Sequence, residues 1–316
     1  MRILVNKSKY SIIKYLGLTI AIILFACSKS VLPPYKYSQT KNHNEANLYY
    51  ETYGNGSPII FIHGFGGRIY TWRYLIDPLS KCYQLYLIDL KGFGFSPKPH
   101  DDNYSAITQA TLIYDFIVKQ RLAKVVIVGH SFGGLVAILT ALKIQEAEPG
   151  NISALILIDS VSYRQPLPLY IRLLRTPIIS SIITSIFTKE YQVKRILKLA
   201  YYNEKNITEE VIREYAEPLY MPNGRYALIQ TAREIIPKDP ESIIRQYKNI
   251  AIPTLLIWGQ HDKIVPLYLG EQLNKSIPKS ELVAINYCGH NPQEEQPART
   301  TNIIKDFLRK RQDYND

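Results

Sequence analysis

The stretch from Val125 to Gly134 constrains this chain more than any other. It reads Val125-Val126-Ile127-Val128-Gly129-His130-Ser131-Phe132-Gly133-Gly134. Four consecutive apolar, β-branched residues predict a buried strand, and an unbroken run of this kind suits a parallel sheet covered on both faces. Leu135 to Lys143 is rich in Ala and Leu with apolar spacing and predicts a helix. Between them lies Gly129-His130-Ser131-Phe132-Gly133, a G-x-S-x-G pattern in the strand–turn–helix context of a nucleophile elbow. So tight a turn needs small residues two before and two after the serine, and Gly129 and Gly133 meet that need. The geometry lifts the Ser131 hydroxyl above the strand end. It also sets the Phe132 N–H at a helix start, where it can stabilise an oxyanion. The pattern alone is short enough to arise by chance; the flanking strand and helix make it specific.

With 316 residues the chain can bury a large core, as one α/β domain with an insertion or as two small domains. Residues 27–46 are polar in the main, with Pro33-Pro34, and read as a tether. Leu48 to Tyr53 predicts an edge strand and Pro58 to Ile62 a buried one. The buried strand runs into His63-Gly64-Phe65-Gly66-Gly67, a glycine-rich loop that lets a backbone N–H point into a site. Phe65 is the candidate second oxyanion donor. His63 reads as a pin for this turn, and Asp89, after the strand Leu85–Ile88, as the organiser of its own glycine-rich loop. Helices are expected over Tyr70–Ser80 and Ser105–Arg121, and a further strand over Ala154–Ile158. Residues 161–238 then lose the alternation and are helical in pattern. Strand signals resume at Leu255–Trp258 and Leu282–Ile285, before a closing helix over Glu294–Arg309. The expected organisation is a core in two halves, 47–160 and 239–316, with a helical cap at 161–238 above the strand ends.

Asp262 follows one of these late strands and His290 the other, so the chain order is Ser131, Asp262, His290. A serine hydroxyl is a poor nucleophile until a base takes its proton. An imidazole can do so near neutral pH. A carboxylate then fixes its tautomer and stabilises its charged form. Asp159, at the end of its own strand, is the reserve acid. His43, His100 and His261 lack comparable context, and His130 sits inside the elbow, pointing away from the serine's proton. Cys82 and Cys288 are expected near opposite ends of the sheet and unpaired. Neither cysteine pairs with ligands at metal-site spacing, so no metal is expected, and chemistry by a serine, a histidine and an aspartate needs no other cofactor.

The first 26 residues are read as a signal rather than as part of the fold. Arg2, Lys7, Lys9 and Lys14 form a basic region without acids, followed by twelve uncharged, mostly apolar residues from Tyr15 to Ala26. The ending Leu24-Phe25-Ala26-Cys27 resembles a bacterial lipoprotein signal, which implies lipidation of Cys27 after cleavage. The alternative is an uncleaved anchor extended by Ile12 and Ile13. Either reading puts the chain on a membrane with its body outside the cytoplasm; Ser28 favours an outer membrane where there are two. Removing residues 1–26 takes away four basic residues and no acid, so the net charge falls by four, from +11 to +7, which suits an anionic membrane surface or simply an alkaline protein. Nucleic acid is not an expected partner, because no basic cluster interleaved with aromatics forms a recognisable module.

The segments His63–Gly67, Asp89–Ser96, Gly129–Gly134, Gly259–Pro266 and Gly289–Pro292 together resemble the α/β-hydrolase superfamily, from about Leu48 to Arg311. The resemblance implies a mostly parallel central sheet with helices on both faces and a helical cap inserted after the sixth strand. A serine at the elbow argues against the dehalogenase and epoxide hydrolase branches, which carry an aspartate there. Phe132 departs from the Trp-containing elbow of prolyl aminopeptidases. The expected activity is hydrolysis of a small-molecule ester or lipid by a membrane-tethered carboxylesterase or lipase-like enzyme. Ser131, Asp262 and His290 would form its triad, and Phe65 and Phe132 its oxyanion hole. The alternatives are a carbon–carbon bond hydrolase of the same fold and a non-catalytic binding lipoprotein.

Overall fold

Strands form where apolar, β-branched runs occur, and the central one is the run that opens the elbow. In the computed structural model the described residues are 42–43, 48–176 and 187–312. Among them, eight strands make one sheet: β1 (Asn42–His43), β2 (Tyr49–Tyr53), β3 (Ser57–Ile62), β4 (Tyr83–Ile88), β5 (Val125–His130), β6 (Ile152–Ile158), β7 (Thr254–Gly259) and β8 (Ser280–Ile285). Their order is β1-β2-β4-β3-β5-β6-β7-β8. The β1–β2 and β2–β4 pairs are antiparallel, and β4, β3, β5, β6, β7 and β8 run parallel. Every residue of β5 is buried, which is why its sequence is a continuous apolar run rather than an alternating one.

Period-two geometry divides the core into two layers. Ile127 shares one layer with Ile60 and Leu155; Val128, one residue on, shares the other with Phe61 and Ile156. The helices are α1 (Arg73–Ser80), α2 (Ala106–Lys119), α3 (Phe132–Ala147), α4 (Leu169–Leu174), α5 (Lys189–Ala200), α6 (Glu209–Ala216), α7 (Gly224–Glu234), α8 (Pro240–Ile244), α9 (Leu267–Ser276), α10 (Pro292–Glu295) and α11 (Pro297–Gln312). Helices α2, α3 and α9 bring Phe116, Ile138 and Leu273 to the Ile127 layer. Helices α1 and α11 bring Leu75 and Phe307 to the Val128 layer. The result is a mostly parallel sheet with helices on both faces.

Several boundaries differ from expectation for local reasons. A 3-10 turn, Ile69–Trp72, takes the place of the start of the first predicted helix. Helix α3 begins at Phe132, because the elbow itself is the helix entry. Pro297 has no N–H to continue a helix, so the closing helix divides into α10 and α11. Asn42 and His43, expected in the tether, pair with Tyr50 and Tyr49 at the sheet edge. Cys82 is exposed and Cys288 buried, both as free thiols. Among the described residues no helix is long and apolar enough to cross a membrane. The expected signal at 1–26, Cys27, the tether apart from Asn42 and His43, and residues 177–186 of the cap lie outside the described residues.

The insertion after β6 folds as helices α4 to α7. Thr188 and Thr208 cap α5 and α6 by accepting from Tyr191 N and Val211 N. The cap is fastened to the core by buried charge. Arg68, just past β3, donates to Glu214 of α6 at 2.8 Å and to Glu217 at 2.5 Å. Arg73 donates to Glu294 at 2.5 Å, and Glu294 also accepts from Thr71 at 2.8 Å and from Tyr215 of α6. Removing one partner of a buried pair leaves an uncompensated charge. Arg68→Met is therefore expected to lower unfolding free energy by about 3–5 kcal/mol, read as a lower urea midpoint at unchanged m-value.

Candidate active site

The elbow holds Ser131 at φ 53°, ψ −120°, a conformation that L-residues adopt only under constraint. Three backbone hydrogen bonds impose it. Ser131 N donates to Ile158 O at 3.0 Å, and Ser131 O accepts from Gly134 N at 2.9 Å and Val161 N at 3.0 Å. The flanking glycines are required sterically. A Cβ on Gly129 would sit 2.4 Å from Gly133 O, and one on Gly133 would sit 2.3 Å from His63 O. Backbone oxygens cannot give way as a flexible side chain would, so the two positions tolerate nothing larger.

His290, in the loop after β8, turns its ring between the other two predicted residues. Its Nε2 lies 2.8 Å from Ser131 Oγ and its Nδ1 2.7 Å from Asp262 Oδ2. Asp262 Oδ1 accepts from Ile264 N at 2.7 Å and Val265 N at 3.0 Å, which fixes the carboxylate plane. A carboxylate facing Nδ1 holds the proton there, leaving Nε2 free to receive the serine's. All three side chains are buried.

The loop that carries His290 is tied to distant segments. His290 N donates to Ala200 O at the end of α5, at 2.7 Å. His290 O faces His130 Nε2 at 2.7 Å, so His130 braces the His290 loop rather than bonding to Ser131. Glu295 gathers Gly289 N at 2.8 Å and, from beyond α5, Tyr202 N at 2.7 Å and Asn203 N at 3.3 Å. Burial pushes the Glu295 carboxyl up, while these N–H groups pull it down. Sequence reading missed these roles for His130 and Glu295. The available signal was a carboxylate pair, Glu294-Glu295, close after His290, but two of the three N–H groups that Glu295 gathers come from some ninety residues away.

His63 and Asp89 organise the neighbouring loops, as their positions suggest. Leu90 N donates to His63 Nε2 at 3.0 Å, so His63 Nδ1 carries the proton and donates to Gly64 O at 2.8 Å. Asp89 accepts from Ile69 N and Phe95 N, each at 2.8 Å. Gly64 packs directly beneath the serine: a Cβ there would lie 2.9 Å from Ser131 Cβ. Phe65 and Phe132 follow Gly64 and Ser131 respectively, and both line the cavity above the serine.

Asp159 is not the carboxylate that meets His290 Nδ1, which bonds to Asp262. It lies close by: ligand-type atoms of Asp159, Asp262 and His290 fall within 4.8 Å of one another, and among the described residues this is the cluster with a metal-type donor set. Burial and the Asp262 carboxylate push the Asp159 carboxyl well above its usual range. His100 and His261 lie outside this cluster. His100 contacts Asn223, and His261 contacts Tyr202 and Tyr287.

A cavity of about 170 Å³ opens over Ser131 and His290. Its walls are mostly apolar, with Ile171, Val193, Leu197, Leu228 and Ile243 among the residues that follow β6. Tyr170, Ile171 and Leu174 of α4 line the cavity.

The alpha/beta hydrolase family model matches residues 59–303. The chain is 29% identical over 266 residues to the uncharacterized hydrolase YugF of Bacillus subtilis, covering 83% of this chain and 94% of that protein. It is 28% identical to Lipase 3 of a Moraxella species, over 80% of this chain and 77% of that one. Among solved structures, a meta-cleavage product hydrolase of Pseudomonas fluorescens superposes with a TM-score of 0.71 at 25% identity, covering 84% of this chain and 96% of that chain.

Two buried imidazoles give the site a pH signature. Burial lowers His63, and burial with the neighbouring His290 lowers His130 well below the usual range. The unfolded chain takes up those protons near pH 6.5 while the folded chain does not, so stability falls as pH drops below about 6.5. Each group contributes up to about 1.4 kcal/mol per pH unit. Urea unfolding between pH 7 and 5 is expected to show this fall, and His130→Asn to flatten it by one group's share.

Proposed function

Because this chain belongs to the alpha/beta hydrolase family and is a hydrolase, we propose that it cleaves carboxylic esters through Ser131, His290 and Asp262. The observation that carries this reading is the continuous hydrogen-bonded line from Asp262 through His290 to Ser131, at 2.7 and 2.8 Å, beneath an apolar cavity. Ser131 Oγ attacks the ester carbonyl as His290 Nε2 takes its proton. The tetrahedral oxyanion is stabilised by the Phe65 and Phe132 N–H groups, each worth roughly a hundred- to a thousand-fold in rate. Collapse expels the alcohol, which takes the proton from His290. Water, deprotonated by His290, then releases the acid from the acyl-enzyme. The scheme needs no cofactor. The apolar walls favour an aliphatic or aromatic acyl group over a charged one.

A second reading is hydrolysis of a carbon–carbon bond. It draws on the likeness to the meta-cleavage product hydrolase, and the same nucleophile and base would serve. The test assays the full chain on p-nitrophenyl esters from acetate to palmitate, and on a vinylogous diketone, beside Ser131→Ala. Ester turnover is expected, with kcat reduced by up to about a million-fold in the variant and fluorophosphonate labelling abolished. Full activity in a folded Ser131→Ala would overturn the assignment. Faster turnover of the diketone than of any ester would favour the second reading.

The body is further proposed to sit on a membrane, through a cleaved signal at 1–26 and a lipid on Cys27, a reading that rests on the sequence alone. Labelled fatty acid is expected to enter the wild-type chain in a bacterial host and not Cys27→Ser; equal labelling of both would refute it.

A further inference from the structure

Asp159 is the first residue past β6, and it is completely buried. Its backbone is held at φ 43°, with its N–H on Ile257 O at 3.0 Å, so the side chain has a defined aim. One oxygen, Oδ1, accepts from Gly259 N at 2.9 Å. The other, Oδ2, is buried and receives no N–H or O–H from any described residue. The titratable groups that face Asp159 are Asp262 from the loop after β7, and Cys288, His290 and Glu295 from the segment after β8. None of them is a lysine or arginine.

Two carboxyl groups this close in a dry site cannot both carry charge. Donor supply decides which one keeps it. Asp262 accepts three N–H groups, from Ile264, Val265 and His290, whereas Asp159 accepts one, from Gly259. The negative charge therefore belongs on Asp262 and the proton on the unused oxygen of Asp159. A protonated Oδ2 is also the state that removes its unmet hydrogen-bonding need, because the acid becomes a donor with an acceptor beside it.

We propose that Asp159 is a neutral carboxylic acid in the resting protein and donates a hydrogen bond from Oδ2 to the Asp262 carboxylate, making it a positioning residue for the catalytic acid. The inference rests on the reading of Ser131, His290 and Asp262 as the catalytic set. The upward push on the Asp159 carboxyl from burial and from Asp262 agrees with it. Its consequence is that Asp262 shares its charge between His290 and a fourth donor. That tempers the pull of Asp262 on the imidazolium and keeps its plane from rotating.

The sign of a pH shift distinguishes the two protonation states. If Asp159 is neutral, Asp159→Ala deletes a donor, concentrates charge on Asp262 and favours protonated His290. The acid limb of the pH–rate profile then moves up and the rate falls by roughly tenfold. Asp159→Asn supplies an amide N–H in place of the acid O–H and restores the limb. If Asp159 is instead ionised, both variants remove a buried negative charge and both move the limb down.

The profile is best read as the rate of fluorophosphonate labelling of Ser131, which needs no knowledge of the substrate. An infrared difference spectrum of wild type minus Asp159→Asn at neutral pH supplies the second readout. Loss of a buried carboxylic-acid C=O band is expected. Loss of a carboxylate band instead, or a downward limb in both variants, would overturn the proposal. Failure of wild type to label would sink the catalytic reading, while the infrared band would still decide the protonation of Asp159.

Discussion

The backbone of Ser131 is the constraint on which the rest of the structure depends. A non-glycine residue at φ 53° is strained by roughly 1–3 kcal/mol, and it persists only because its neighbours leave no alternative. Ile158 O on one side, Gly133 packed on the β3 carbonyls on the other, and Val161 N at the start of the insertion all hold it. That strain is small beside the combined burial of Val125, Val126, Ile127 and Val128 in β5, each contributing roughly 1.5–3 kcal/mol. The elbow therefore requires β5 to lie between two parallel neighbours, with α3 seated closely on β3. Sheet order and helix packing are both consequences of it.

His290, unlike Ser131, is held by parts of the chain far from it in sequence. His290 is suspended between the Ala200 carbonyl at the end of α5 and the His130 ring from the elbow, and Glu295 clamps its loop to Tyr202 and Asn203. The roof of the cavity and the position of the imidazole thus share one hydrogen-bonded frame. The Arg68 ion pairs, and the hydrogen bond from Tyr215 to the Glu294 carboxylate that Arg73 holds, fasten the α6 side of the same roof. Buried pairs of this kind add little net stability over an apolar contact, but they penalise any arrangement that breaks them. They give the insertion one seat on the core.

Much of the fold was legible in the residues. The unbroken Val125–Val128 run announced a doubly covered strand, and the glycines at 129 and 133 announced a close backbone approach that the structure contains. Asp262 and His290 could be singled out because each follows a strand signal at the expected end of the sheet. The insertion was legible only as a loss of alternation. Its helices bury apolar residues such as Val193 and Leu197 over the cavity and against segments that no local pattern identifies. The short edge pairing of Asn42 and His43 was invisible for a related reason, since backbone hydrogen bonds to β2 carry no side-chain signature.

By itself the sequence determined the elements and the chemical types at the strand ends, because strand burial, tight-turn sterics and helix starts are local and leave local patterns. Only the tertiary structure decided which carboxylate meets His290, what Asp159 faces, and what holds the His290 ring in place. Those outcomes depend on distances of about 3 Å between residues that lie tens to more than a hundred positions apart. At such separations hydrogen-bond geometry in a dry interior, rather than residue type, selects the partner.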